Sequence, residues 1–389
     1  MAAKKLKTRI GKNKNTGILY CISMENITFA DKDILDRIIS DMIQDKGNDS
    51  APLLLAGSYE DANDGGLRVY RLNLSDLEAT YLYDVPVGNA SYMAVSASGV
   101  IYAVTESDAE NSLLTAFNAG NDGYNIISRV KIGADSPCYV ALTPDGRFVL
   151  TANYGDGTVA AFPVRKDGGA GECCLRLRFI GHGPVPRRQD CSRIHCISFT
   201  PDRKYMLVND LGNDSIYGFT LLEGCPQPVC ESPAFTLKLH PGSGPRHIVF
   251  NTAGDRAYLI NEISDTVTVL GYDGKSLTPL QNIRANTEDA RGAGDIRLSE
   301  DGKYLFASLR LKNDGIAAFR VDRTDGTLEY IGHTATGIHP RNINRYKNLL
   351  FVSCRDSGKI EIYSEKEGQL ILRNSISQPK AVFSMLIFQ

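Results

Sequence analysis

The sequence predicts an all-β fold, a single seven-bladed β-propeller with four-stranded antiparallel blades. Three observations support this prediction. A unit of roughly fifty residues recurs along the chain, which is a period typical of propeller blades. The strands within each unit are short, alternate in hydrophobicity and are separated by turn residues at regular intervals. The residues that end the second strand of each unit align in one column with seven members.

The clearest copy of the unit lies in the first half of the chain. Its predicted strands are 139–143, 147–153, 158–164 and 175–180. The first two strands flank Pro144-Asp145-Gly146, which predicts a tight hairpin because proline fixes one φ angle and glycine accepts a positive one. Related turns occupy positions 201–203, 253–255 and 300–302.

The aligned column counts the blades and shows how the ring closes. Its members are Tyr59, Glu106, Tyr154, Asp210, Glu262, Arg310 and Arg355. The first unit, near 53–58, has no inner strand ahead of it, and the segment 381–388 remains as an additional strand after the seventh unit. We therefore expect the C-terminal strand to pair into the N-terminal blade, which closes the ring and removes its open edges.

Residues 1–50 lie outside the repeat and form a predicted N-terminal extension, whereas 51–389 form the propeller domain. Apolar residues at helical spacing between Ile34 and Ile43 predict a short amphipathic helix that packs on the propeller, with Asp31 or Asp33 as its N-cap. The first seventeen or so residues are expected to be disordered, as termini often are.

Composition excludes several classes of function. The formal net charge of −2 gives no indication of a nucleic-acid or membrane partner. The basic N-terminus has no apolar segment after it, so we expect no secretory signal. Nine cysteines without metal-binding spacing indicate a reducing compartment. The sequence therefore predicts a cytoplasmic protein, which we expect to be a monomer or a weak homodimer.

Candidate site residues come from the two ends of the hairpin that each inner strand forms with the second strand. Strand heads contribute His195, Arg246, His247 and Arg341. Strand tails contribute Glu106, Asn153, Asp210, Glu262, Arg310 and Arg355. Because heads and tails meet on one face, these groups are expected to surround a funnel. Opposite charges across a partly desolvated channel shift pKa values and can bind an anion.

Each candidate also has a structural interpretation. His195 could be a hydrogen-bonded packing residue, and Arg246 with Glu262 could form an ion pair that only ties two strands together. Asn153 and Asp210 could cap turns by accepting backbone hydrogen bonds. Convergence of several polar residues at equivalent positions favours a functional site. His182, His240 and His333 lie in or near connections between blades and receive no role.

Two parts of the chain carry a resemblance to a known family. Residues 242–250 and 257–262, which include Gly244-Pro245-Arg246-His247 and Asn261-Glu262, resemble the fifth blade of the 6-phosphogluconolactonase/lactonase family. That family includes the fungal 3-carboxymuconate lactonizing enzymes. Residues 195–202 and 209–216 are similar to its fourth blade. The resemblance extends over about residues 52–389. The chain departs from the family pattern at Arg193, Asp295 and Leu309, and in 88–92, which lacks a usual proline.

The resemblance implies a seven-bladed propeller with catalytic residues on one face. Those residues would be His195, Arg246, Glu262 and Arg310. The proposed substrate-binding residues are Glu106, Asn153, Asp210, His247 and Arg341, of which Glu106 also resembles a pocket acid of the family. The leading hypothesis is hydrolysis of a sugar lactone, above all 6-phosphogluconolactone to 6-phosphogluconate, without a metal or other cofactor.

In this hypothesis Glu262 or His195 is the general base, and Arg246 and Arg310 bind the oxyanion together with a phosphate or carboxylate. A first alternative is a cycloisomerase that acts on a carboxylated, muconate-type lactone. A second is a non-catalytic propeller that binds a ligand or a protein, since fold alone does not establish chemistry. A third is a metal-dependent lactonase. Its Ca²⁺ ligands would be Glu106, Asn153, Asp210 and Glu262. Arginines on the same face disfavour a cation.

Overall fold

A computed structural model describes residues 51–63 and 65–388, and the expectations for the N-terminal extension lie outside this range. The described residues form seven four-stranded sheets, each antiparallel. This architecture confirms the predicted all-β seven-bladed propeller. The described part of the chain contains one short 3₁₀ helix, Leu211–Asn213. It contains no helix with the length and hydrophobicity needed to cross a membrane.

The first three blades follow one another along the chain. Blade 1 contains β1 (Leu53–Ser58), β2 (Leu67–Leu72) and β3 (Ala79–Val85). Blade 2 contains β4 (Ala90–Val95), β5 (Ile101–Thr105), β6 (Leu113–Gly120) and β7 (Gly123–Lys131). Blade 3 contains β8 (Pro137–Leu142), β9 (Phe148–Asn153), β10 (Thr158–Pro163) and β11 (Leu175–Arg178).

The remaining blades repeat this order, and one strand is left at the C-terminus. Blade 4 contains β12 (Ile194–Phe199), β13 (Tyr205–Asp210), β14 (Ser215–Thr220) and β15 (Phe235–Lys238). Blade 5 contains β16 (Pro245–Phe250), β17 (Arg256–Asn261), β18 (Thr266–Tyr272) and β19 (Leu277–Arg284). Blade 6 contains β20 (Ala293–Leu298), β21 (Tyr304–Leu309), β22 (Gly315–Val321) and β23 (Leu328–Ala335). Blade 7 contains β24 (Pro340–Tyr346), β25 (Leu349–Cys354), β26 (Lys359–Lys366) and β27 (Gln369–Ser377). The last strand is β28 (Ala381–Ile387).

The ring closes as the sequence predicts. Strand β28 pairs with β1 in antiparallel register, with Leu53 opposite Ile387 and Ala56 opposite Ser384, and so becomes the inner strand of blade 1. The inner strands contact one another in sequence around the axis, from β28 through β4, β8, β12, β16, β20 and β24 back to β28. Blade 1 is therefore assembled from both ends of the domain.

Burial explains why these segments form propeller strands. Second strands are covered by neighbouring blades on both faces, and β9 is accordingly buried at every position. The outer strand β11 alternates between buried and exposed residues, because one of its faces meets solvent. Gly146 and Gly302 adopt the predicted positive φ, and Arg203 occupies the corresponding turn of blade 4 at φ +59°.

An irregularity at the head of the inner strands determines which side chains point toward the axis. The pairing with the second strand skips one or two residues in β4, β8, β12, β16, β20 and β24. The skipped residues are Ser91, Cys138, His195, Arg246–His247, Gly294–Asp295 and Arg341. A bulged residue re-aims its side chain relative to the regular pleat. All four predicted strand-head candidates are therefore bulge residues.

The strand register corrects the predicted column in blade 4. The residue that pairs with the first residue of the inner strand is Asn153 in blade 3, Asp210 in blade 4 and Asn261 in blade 5. The equivalent of Glu262 is therefore Leu211, and the alignment that placed Asp210 beside Glu262 was wrong by one residue. Asp210 is the last residue of β13, as Asn153 is of β9 and Asn261 of β17, and it is also the N-cap of the 3₁₀ helix that follows.

Candidate active site

An open cavity of about 250 Å³ lies at the face where the second strands end. The lining residues are Glu106, Cys138, Tyr154, Arg188, His195, Glu262, Arg310, Leu311, His339, Arg341 and Arg355. Four arginines and two carboxylates face the same space, so the cavity carries excess positive charge and is suited to an anion.

Glu262 is the centre of the charged cluster. It follows β17, and its Oε2 lies 2.8 Å from Arg246 Nε and 3.0 Å from Arg310 Nη2. Its Oε1 accepts a hydrogen bond from Arg188 Nη2. Burial raises the pKa of the Glu262 carboxyl, but Arg310, Arg246 and Arg188 outweigh burial and lower that pKa to about 2. Glu262 is therefore a stable carboxylate that orders three guanidinium groups.

Arg310 is fixed by the backbone of the loop that precedes β20. Its Nε donates to Gly292 O at 2.8 Å, and its Nη2 donates to Ala293 O at 3.2 Å. Burial lowers the pKa of Arg310 to about 10, with Glu262 opposing that shift, so the side chain stays cationic at neutral pH. The guanidinium is therefore held in one orientation toward the cavity.

Two imidazoles line the cavity. His195 Nε2 lies 4.0 Å from Glu262 Oε2, and His195 Nδ1 is buried without a hydrogen-bond partner among the described residues. Burial and the nearby Arg246 guanidinium lower the pKa of His195 well below its ordinary value. His339 lies beyond Arg310, with its Nε2 3.5 Å from Arg310 Nη1. Burial together with Arg310 lowers the pKa of His339 to about 3. Both rings are neutral at pH 7.

Glu106 and Arg341 form a second charged pair on the opposite side of the cavity. Arg341 Nη2 lies 3.4 Å from Glu106 Oε2, which also accepts a 2.8 Å hydrogen bond from the Tyr59 hydroxyl. The Arg341 guanidinium stacks over the Tyr59 ring at 5.2 Å. Although burial opposes the charge, Tyr59 and Glu106 raise the pKa of Arg341 above its usual value.

Arg246, His247 and Asp295 form a buried layer behind the residues that line the cavity. Arg246 has 2% of its surface exposed, and its Nη1 donates to Gly294 O at 2.7 Å. His247 Nδ1 lies 2.7 Å from Asp295 Oδ1, and its ring meets the His195 ring edge-on at 5.2 Å between centroids. Burial and Arg246 lower the pKa of His247 to about 4. This layer holds Glu262 and His195 in place without lining the cavity.

The structure separates the sequence-predicted site residues into three groups. Six of them line the cavity together: Glu106, His195, Glu262, Arg310, Arg341 and Arg355. Arg246 and His247 lie in the supporting layer. Asn153 donates to Thr158 Oγ1 at 3.0 Å and lies outside the cavity lining. Asp210 also lies outside it, where its Oδ1 accepts from the backbone N–H groups of Arg193, Gly212 and Asn213.

Among the basic lining residues, sequence reasoning missed Arg188 and His339. Arg188 belongs to the connection between β11 and β12, where no repeat register applies. His339 was visible beside Pro340 and Arg341, but its backbone has a φ of +61°, which turns the chain just before β24 and could not be inferred from the repeat. Polar residues directly before an inner strand are the signal that could have identified His339.

The oxygen ligands of the alternative Ca²⁺ site do not converge. Glu106 and Glu262 line the cavity, whereas Asn153 and Asp210 are engaged elsewhere. Within residues 51–63 and 65–388, no group of three or more histidine, cysteine, aspartate or glutamate side chains has a metal-binding arrangement.

The fold and the cavity together define a seven-bladed propeller with a small-molecule site at one end of its axis. Residues 53–384 match the family described as Lactonase, 7-bladed beta-propeller, and the chain belongs to this family. The family membership confirms the predicted resemblance. It also confirms the predicted enzyme class, a lactonase within the carboxylic ester hydrolases.

Three similar proteins agree with the assignment to this family. The chain is 32% identical over 324 residues to a 6-phosphogluconolactonase of Formosa agariphila, covering 80% of this chain and 91% of that protein. A solved structure of a candidate 6-phosphogluconolactonase from Bacteroides fragilis is 36% identical, with a TM-score of 0.84 over 88% of this chain and 99% of that one. The periplasmic gluconolactonase of Pseudomonas aeruginosa is 26% identical, with a TM-score of 0.81 over 86% and 99%.

Proposed function

We propose that this lactonase hydrolyses 6-phosphogluconolactone to 6-phosphogluconate without a metal ion. The observation that carries the proposal is the cavity itself, in which the neutral His195 imidazole adjoins a Glu262 carboxylate held by Arg188, Arg246 and Arg310. Excess guanidinium charge favours an anionic substrate and opposes a bound cation. The relative from Formosa agariphila suggests the substrate, since it is named a 6-phosphogluconolactonase.

Lactone opening requires a nucleophilic water and stabilisation of an oxyanion. Two atoms that are 4.0 Å apart, such as His195 Nε2 and Glu262 Oε2, can both contact one water molecule. In the proposed reaction the His195 imidazole accepts a proton from that water while the oxygen adds to the lactone carbonyl carbon. Negative charge then forms on the carbonyl oxygen, where the Arg310 guanidinium stabilises it.

The second half of the reaction breaks the bond between the carbonyl carbon and the ring oxygen. The proton held by His195 returns to that oxygen, so one lactone and one water give one hydroxy acid. Glu262 keeps its charge throughout, because the Arg310 and Arg246 guanidiniums stay on it and lower its pKa, although burial raises that pKa. Its proposed roles are to orient the water and to order the arginines. Arg246, which lies behind it, acts as a positioning residue.

An activity screen over phosphorylated, carboxylated and plain lactones tests this proposal. We expect hydrolysis of 6-phosphogluconolactone that survives chelation and falls at least about 100-fold in Glu262→Gln, which keeps the shape but removes the charge. Exposed Glu329→Gln is a matched control and should retain full activity. Activity lost on chelation would contradict metal independence, and turnover restricted to carboxylated lactones would favour the cycloisomerase.

We also propose that the enzyme works in a reducing compartment such as the cytoplasm. Each of the described cysteines is a free thiol, and Cys173, Cys174 and Cys191 are exposed. Exposed thiols persist where disulfide formation is suppressed. Redox-sensitive labelling of the protein in intact cells would contradict this proposal if these three cysteines were oxidised.

A further inference from the structure

Arg188 reaches the cavity from a loop that is rigidly anchored. The neighbouring Gln189 is fully buried, and its Nε2 donates to Leu211 O at 2.9 Å and to Asp214 Oδ1 at 2.8 Å. The Gln189 Oε1 accepts from Val185 N at 3.2 Å. Because Gln189 ties this loop to blade 4, the fold positions the Arg188 side chain at the cavity mouth.

Arg188 differs from the other two arginines on Glu262 in its exposure. Its side chain is 30% exposed, against 2% for Arg246 and 6% for Arg310. Its Nη1 donates to Arg291 O at 3.2 Å, at the outer edge of the cavity. Arg188 is therefore the arginine of this cluster that meets both solvent and Glu262. If Arg188 exchanges the Glu262 carboxylate for a charged group of a ligand, little additional surface of its side chain is removed from water.

The charge of this cluster favours an anion with about two negative charges. Three guanidiniums surround one carboxylate, so Glu262 neutralises only one of them. A phosphate monoester carries about −1.5 to −2 charges near neutral pH. Arginine binds phosphate through paired N–H donors in a planar fork, with a geometry that lysine and neutral side chains do not match.

We propose that Arg188 determines specificity for a phosphate group on the substrate carbon chain, away from the ester. This inference rests on the proposed lactonase function and names the residue that selects its phosphorylated substrate. On binding, Arg188 releases Glu262 Oε1 and turns its donors to the phosphate oxygens. Arg246 and Arg310 remain on Glu262, so the reacting end of the cavity keeps its order.

The test compares Arg188→Gln with Arg187→Gln in the full-length chain. Arg187 is the preceding residue, is exposed and does not line the cavity, so it is a matched control for loop charge. We measure kcat/KM for 6-phosphogluconolactone and for unphosphorylated gluconolactone. We expect R188Q to lose about 10–100-fold on the phosphorylated substrate, the range for a hydrogen bond to a charged group. Turnover of the plain lactone should fall by a smaller factor, so that the ratio of the two kcat/KM values drops about tenfold or more, and R187Q should match the wild type.

Two kinetic results would overturn the proposal. Equal loss on both lactones would mean that Arg188 acts only by holding Glu262, and an unchanged ratio with full activity would mean that it has no role. If the wild type hydrolysed neither lactone, the proposed function would fail, and inorganic phosphate binding would decide the role of Arg188. Calorimetry should then show weaker phosphate binding in R188Q than in R187Q, and equal affinities would overturn the inference.

Discussion

At the residue scale, the protonation states in the cavity follow from burial and arginine charge acting together. For Glu262, burial raises the pKa and the arginines lower it, and the effect of the arginines is the larger one. For His195 and His339, burial and arginine charge both lower the pKa. The cavity therefore presents one carboxylate and two unprotonated imidazoles at neutral pH. A neutral imidazole can accept a proton, and the negative charge that develops on the lactone raises its proton affinity during the reaction.

This arrangement predicts an unusual pH dependence. The folded-state pKa values of Glu262, His339 and His247 are lowered to about 2, 3 and 4, and that of His195 is also well below 6.5. Protonation of these groups requires the pH to fall through those values, so kcat/KM should stay constant down to about pH 5. We would measure this dependence with unphosphorylated gluconolactone, because the phosphate of a phosphorylated substrate itself titrates near pH 6. A decline of kcat/KM centred between pH 6 and 7 would contradict the prediction.

At the element scale, aspartate carboxylates connect each of three blades to the loop that begins the next one. Asp214 in blade 4 accepts from Gly242 N and Gly244 N, both at 2.7 Å, before β16. Asp265 in blade 5 accepts from four successive backbone N–H groups, from Ala290 to Ala293, before β20. Asp314 in blade 6 accepts from His339 N at 2.7 Å before β24. These loops carry or support the cavity residues. The hydrogen bonds from the three aspartates, here called anchors, therefore fix the cavity residues relative to the preceding blade.

Asp265 offers the clearest test of these anchors. Asp265→Asn replaces one acceptor oxygen with an amide donor that faces backbone N–H groups, and leaves buried donors unpaired. Each unpaired buried group costs about 1–3 kcal/mol of the free energy of unfolding. Gly292 O and Ala293 O, which hold Arg310, should also shift, so kcat should fall as well. Denaturant unfolding and kinetics measure the two effects.

A control for this variant lies on the same loop. Asp289 is exposed, and Asp289→Asn should change the free energy of unfolding by less than about 0.5 kcal/mol. Comparable losses in both variants would mean that loop charge matters and that the hydrogen bonds of Asp265 do not. Loss of stability in D265N without loss of kcat would mean that the loop does not position Arg310.

The repeat made the fold and part of the site predictable, because register converts distant residues into neighbours. Glu262 and Arg310 follow β17 and β21 at equivalent positions, and both were placed on one rim from the sequence. Asp210 was misplaced by one residue, since the strand register makes it the equivalent of Asn261 and not of Glu262. Arg188 was not predictable, since an irregular loop of this length has no register. The bulges at the strand heads also could not be predicted from the sequence, because they depend on contacts between blades around the axis.

At the scale of the whole molecule, the site requires a closed ring. Cavity residues come from blades 2 to 7, from Glu106 after β5 to Arg355 after β25, so no blade contains the site alone. Closure depends on β28, whose first four residues, Ala381–Ser384, are buried. Phe383 packs on Tyr92 of blade 2 with ring centroids 4.4 Å apart. Asn344 Nδ2 donates to Ser384 O at 2.9 Å, which connects blade 7 to the same strand.

Removal of residues 381–389 should therefore abolish soluble, cooperative folding. The deletion exposes the edge of β1, whose six residues are all buried, and removes a strand that contacts β24, β1 and β4. An apolar, unpaired edge promotes association between chains. Soluble yield and the cooperativity of the calorimetric melting transition measure the effect. An unchanged melting transition in the truncated protein would contradict the proposed role of closure.

Two milder variants distinguish the effect of an open ring from the effect of removing any residues or side chains at the C-terminus. Removal of residues 388–389 leaves β28 whole, because the strand ends at Ile387, and should preserve a cooperative transition. Phe383→Ala keeps every backbone hydrogen bond of β28 but deletes a buried ring, which typically costs about 3–5 kcal/mol. If closure is the stabilising feature, F383A folds cooperatively with a lower midpoint, whereas removal of 381–389 leaves no folded state whose transition could shift.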